Sequence, residues 1–149
     1  MPYVAFHELC PELAKQETRV ATIVKDPKGN LPAGEYAFLE MFCDESGCDC
    51  RRVFFYVMSS SRKKVEAVVC YGWESPDFYR KWLHDDDPHF IAELMGPSLN
   101  LASPQSKLAP AILELVRNLL LQDHAYIERI KQHYRIFREK IDSTASSVS

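Results

Sequence analysis

Three cysteines crowd the run Cys43-Asp44-Glu45-Ser46-Gly47-Cys48-Asp49-Cys50, and Arg51 and Arg52 follow at once. One tight turn brings thiolates at this C-x4-C-x-C spacing together, and Gly47 supplies the backbone freedom such a turn needs. Cys48 and Cys50 lie two residues apart, so an extended segment points both to one face. Zinc takes four tetrahedral ligands and favours sulfur, which suits this donor set better than an iron or iron–sulfur centre. If Phe42 ends one strand and Arg52 begins the next, the ion pins the tip of a hairpin. Arg51 and Arg52 then stand where their charge offsets the negative excess of three thiolates on one divalent ion.

The flanking sequence supplies that hairpin. Valine, isoleucine and threonine enrich Arg19 to Lys25, and Asp26-Pro27-Lys28-Gly29-Asn30 is turn chemistry. Further strands are expected over Glu35–Phe42, Arg52–Met58 and Val65–Tyr71, the last two joined by the short connection Ser59 to Lys64. Helical spacing marks Phe6–Gln16, a segment starting at Ser75-Pro76, another after Asp85-Asp86-Asp87-Pro88, Lys107–Gln122 and Ala125–Ile141. The expectation is one α+β domain over 1–142, an antiparallel four-stranded meander with C-terminal helices packed on the sheet and a zinc knuckle at a hairpin tip. The small, polar segment 143–149 reads as a disordered tail.

A chain of 149 residues buries a core without needing metal for it. With 18 basic against 21 acidic residues the net charge is -3, so no global positive field holds a nucleic acid. The compact basic run Arg62-Lys63-Lys64 falls in a hairpin turn, where such residues serve solubility. The first residues lack the pattern of a signal peptide, and no apolar run reaches the roughly 20 residues that cross a bilayer. A cytoplasmic setting follows as the expectation, and there clustered cysteines bind metal more often than they pair. The odd count of five cysteines agrees.

The fourth ligand lies elsewhere in the chain. His133 sits one helical turn beyond Ile130 at the margin of the last helix's apolar face and ranks first, ahead of Cys10 and His7. Cys70 falls opposite about Val53 or Phe54, on the order of 10–13 Å along the strand from Cys50, and reads as a core thiol. Phe42-Cys43-Asp44, Cys48-Asp49-Cys50-Arg51-Arg52-Val53, Tyr71-Gly72-Trp73-Glu74, Gln105-Ser106 and His133-Tyr134-Arg135-Ile136-Phe137 together resemble a group of uncharacterised bacterial proteins. Some members of that group carry a C-terminal SEC-C zinc knuckle, which has no counterpart in this chain. The resemblance spans roughly Glu35 to Lys140 and implies no established activity.

Other constellations have plainer readings. Asp85-Asp86-Asp87-Pro88-His89 is a helix start, and Tyr71-Gly72-Trp73-Glu74 is packing and capping where a strand leaves the sheet. The expected function is therefore a zinc-binding accessory or protein-interaction domain with a structural Zn2+, and its expected partner is another protein. Two alternatives stand beside it. In one, a hydrolase keeps an open metal position and uses Glu74 or Asp49 as base; in the other, Cys48-x-Cys50 senses redox state.

Overall fold

Alternation along one long strand organises the molecule. The computed structural model describes residues 3–148. In β3 (Gly34–Cys43) the side chains of Tyr36, Phe38, Glu40 and Phe42 are buried, while Ala37, Leu39 and Met41 on the opposite face are half-buried. Antiparallel to β3 run β2 (Arg19–Ile23) on one side and β4 (Arg52–Ser59) on the other. A tight turn through Ser60 to Lys63 then returns the chain as β5 (Lys64–Gly72), which sets Phe54 opposite Cys70.

These four strands are the expected meander, but the sheet has six. A short β1 (Tyr3–Ala5) pairs with the Met41–Cys43 end of β3, and β6 (Ser98–Leu99) pairs with Val69 and Cys70 on the far edge. β1 and β2 therefore lie end to end along the same edge of β3. Between them the chain detours through α1 (Phe6–Leu9) and α2 (Pro11–Glu17). The single helix expected over Phe6–Gln16 is thus two. Pro11 begins the second, and Cys10 between them has non-helical φ -131 and ψ 65.

The remaining helices follow their caps. Ser75 Oγ accepts from Phe78 N at 3.3 Å to open α3 (Pro76–Leu83), and Asp87 Oδ1 accepts from His89 N at 3.0 Å to open α4 (Pro88–Met95). Both helices carry proline in the first turn, where no N–H is needed. α5 (Ala109–Asn118) runs into a 3-10 turn at Leu120–Gln122, and α6 (His124–Val148) follows. That last helix includes 143–148 of the segment expected as a disordered tail; Ser149 lies outside the described residues.

One sheet face meets α5 and α6. Phe38, Phe42, Val53, Phe55, Val57, Ala67 and Val69 pack there against Ile112, Val116, Leu120, Tyr126, Ile130 and Phe137. Cys70 points the other way and is buried, its Sγ 3.0 Å from Ser98 Oγ. This second face is only partly covered, by α4 and the loop after β6.

Candidate metal centre

The connection from β3 to β4 makes the centre. Cys48 N–H donates to Glu45 O at 3.2 Å, closing a turn in which Gly47 takes φ 73. The Sγ atoms of Cys43, Cys48 and Cys50 then lie within 4.8 Å of one another. A tetrahedral zinc with bonds of about 2.3 Å wants sulfurs about 3.8 Å apart, so at most about 1 Å of closure completes the set. Cys43 and Cys50 are buried and Cys48 is half-buried.

Each sulfur also receives a backbone donor from two residues ahead. Glu45 N–H serves Cys43, Cys50 N–H serves Cys48, and Arg52 N–H serves Cys50. A repeated N–H···S bond is the arrangement that stabilises a thiolate rather than a thiol. Burial works in the opposite direction and holds all three thiols above their ordinary pKa. A bound divalent cation resolves that conflict by taking the place of the protons. The C-x4-C-x-C-R-R motif thus folds into one three-thiolate cluster, and the cluster fits Zn2+.

His133 is placed elsewhere. Its Nδ1 is 2.7 Å from Glu40 Oε1 and its Nε2 is 2.7 Å from Glu17 Oε1, so both ring nitrogens are engaged by carboxylates. Phe6 stacks on the ring at 4.3 Å, and Tyr126 Oη donates to the other Glu40 oxygen at 2.9 Å. Glu40 precedes Cys43 by three residues, about 10 Å along a strand, which is why an inward-facing His133 meets the carboxylate and misses the knuckle. Cys10 is buried among core residues and His7 is exposed on α1; neither joins the cluster. Among the described residues no other cysteine, histidine or carboxylate does.

The last helix nevertheless grips the knuckle, through residues that the sequence reading passed over. Tyr134, Arg138 and Asp142 follow one another at four-residue spacing and so share a face of α6. Tyr134 Oη donates to Asp49 Oδ1 at 3.0 Å and accepts from Arg51 N at 3.2 Å. Arg138 donates to Cys43 O at 2.5 Å, to Glu45 O at 2.6 Å and to Asp142 Oδ1 at 3.0 Å. Asp142 Oδ1 in turn accepts from Gly47 N at 3.0 Å. The i, i+4, i+8 spacing of Tyr134, Arg138 and Asp142 beside the apolar stripe of Ile127, Ile130 and Phe137 was the available signal.

Charge around the cluster is divided differently from the expectation. Arg51 is spent on Asp49 at 2.9 Å and Glu74 at 3.4 Å, and lies over the Phe78 ring at 4.5 Å. Arg138 acts on Cys43 in its stead, while Arg52 acts on Cys50. Tyr79 Oη donates to Arg51 O at 2.7 Å and accepts from Glu74 N at 3.3 Å, which fixes the start of β4 from the other side. Gly72 makes that approach possible, since a Cβ there would overlap the Tyr79 hydroxyl.

Asp85, Asp86, Asp87 and His89 form no metal-binding group among the described residues. Arg62, in the basic turn, pairs with Glu66 at 3.2 Å. No helix among the described residues is long and apolar enough to cross a membrane. No family model, curated protein or solved structure matches the chain.

Proposed function

We propose that the chain is a zinc-knuckle accessory domain that binds another protein in a reducing, cytoplasmic setting, with Zn2+ serving structure. The observation that carries the metal half is the three-thiolate cluster with an N–H donor on every sulfur. A structural role accords with the setting of the knuckle, which α6 holds through Tyr134, Arg138 and Asp142. Zinc then closes the β3–β4 hairpin and Arg138 ties the closed hairpin to the helix. Support for a binding role comes from apolar side chains left at the surface around β2 and α5, where Val20, Val24 and Leu119 are 44%, 84% and 47% exposed.

The count of three protein thiolates favours a second reading, in which water holds the fourth position and the ion is catalytic. The two side chains that would serve as base, Glu74 and Asp49, are both engaged by Arg51, which ranks this reading lower. Elemental analysis and zinc-edge X-ray absorption test both. About one zinc per chain with three sulfur neighbours is expected, and zinc retained near stoichiometry in a Cys48→Ser/Cys50→Ser variant overturns the site. Hydrolysis of an ester, amide or phosphate that requires zinc and vanishes in Glu74→Gln promotes the enzyme.

A further inference from the structure

On the less covered face of the sheet, next to the knuckle, lies a cleft of about 490 Å³ lined by Tyr3, Arg52, Phe54, Tyr56, Asn100 and Ser103. Its volume is within the range of pockets that hold a small organic molecule. Arg52 is the most buried arginine of the described residues, 6% exposed, yet no carboxylate lies within ion-pair distance of it among them. Arg19, Arg51, Arg62, Arg80 and Arg138 each have one.

The Arg52 side chain is held with two donors unused. Nε donates to Leu94 O at 3.1 Å and the guanidinium lies over the Phe54 ring at 5.2 Å, whereas Nη1 and Nη2 meet no acceptor among the described residues. Toward the metal centre the residue gives its backbone N–H, to Cys50, and only the long-range effect of its charge. A planar fork with two parallel N–H groups free is the shape that grips a carboxylate. Tyr3 also lines the cleft, although its hydroxyl is itself buried. Its ring stacks on Phe54 at 4.2 Å with an interplanar angle of 15°.

The opposite wall is rigid. Gln105 Nε2 donates to Asn100 O at 2.8 Å and to Val68 O at 3.0 Å, and Asn100 Nδ2 donates to Ser103 Oγ at 2.8 Å. The loop is thereby tied to the sheet with Asn100 and Ser103 facing the cleft. One cation and three aromatic rings select for a single negative charge on a flat apolar body, in preference to a doubly charged phosphate.

We propose that this cleft binds a small monocarboxylate, its carboxylate on Nη1 and Nη2 of Arg52 and its apolar body against Phe54 and Tyr56. The inference goes beyond the metal reading, and measuring zinc in every sample separates failure of one from failure of the other. The test is a nitrogen-15 NMR titration of the zinc-loaded full chain with benzoate, benzamide and inorganic phosphate. Saturable shifts at the Arg52 side-chain N–H and at the amides of Tyr3, Asn100 and Ser103 are expected with benzoate. Benzamide should bind about tenfold more weakly or worse, and Arg52→Gln should weaken benzoate by a similar factor while keeping its zinc. Equal response to benzoate and benzamide, unsaturable shifts spread over the surface, or saturation by phosphate where benzoate fails would each overturn it. Should Arg52→Gln lose zinc or unfold, Tyr56→Ala decides from outside the knuckle: benzoate held as tightly as by the wild type refutes the cleft, and binding at least threefold weaker supports it.

Discussion

Replacing Arg138 with methionine should weaken zinc binding without touching a ligand. The guanidinium donates to two knuckle carbonyls, Cys43 O and Glu45 O, from a side chain only 9% exposed. A hydrogen bond from a charged donor is worth about 1.5–3 kcal/mol, so the pair contributes on the order of 3–6 kcal/mol to the clamped loop. Methionine keeps much of the stem's volume and no donor. Water restores part of the loss at Glu45, which is exposed, and little at Cys43, which is buried. A net cost of about 1.4–2.8 kcal/mol to the metal-ready loop would raise the zinc dissociation constant about 10- to 100-fold. Competition against a chromophoric chelator measures that constant. The visible spectrum of the cobalt-substituted protein should stay unchanged in intensity, because all three thiolates remain. An affinity within threefold of the wild type, in a variant with an unchanged melting temperature, would refute the claim that α6 preorganises the knuckle.

Chelation of zinc should lower the melting temperature and open the segment Cys43 to Arg52 to proteolysis, since an ion bound only by the folded state adds to its stability; a melting temperature unmoved by chelator counts against a structural metal. His133→Ala should keep its zinc but lose about 3–5 kcal/mol of stability, because Glu40 is left buried with Tyr126 alone; chemical denaturation and elemental analysis read the two effects separately. His133 also sets a pH dependence. Burial opposes its protonation, but the hydrogen bonds and charges of Glu40 and Glu17 prevail and raise its pKa above the usual value. Its stabilising contribution is therefore complete below about pH 6.5 and is lost as pH rises through the raised folded-state value. The stability gap between wild type and His133→Gln should shrink with rising pH, and a gap that widens contradicts the assignment.

Residues that act through local chemistry were readable from the chain, and those that act through distant pairing were not. The thiol spacing, the Ser75 and Asp87 caps and the alternation of β3 to β5 each depend on neighbours within a few positions. β1 and β6 have only three and two residues, too short to show a period, and exist because β3 and β5 offer open edges. The helical face turned His133 inward as expected. Its partner was also written in the sequence, since the alternation of Tyr36, Phe38, Glu40 and Phe42 sends a carboxylate into the core, and such a group demands a donor. Reading Glu40 with the same weight as Cys43 would have paired it with His133 and left the grip on the knuckle to Tyr134, Arg138 and Asp142.

The pairing of Tyr3 with Cys43 has a practical consequence for how the metal is measured. Anything fused ahead of Tyr3 starts beside a three-thiolate site. A hexahistidine tag at that end carries imidazoles to a cluster that lacks a fourth side-chain ligand among the described residues, and imidazole is among the donors zinc prefers. Zinc stoichiometry, cobalt spectra and chelator resistance taken on such material would describe a hybrid of protein and affinity handle. The same determinations on a chain tagged after α6, or with the tag cleaved off, describe the knuckle itself.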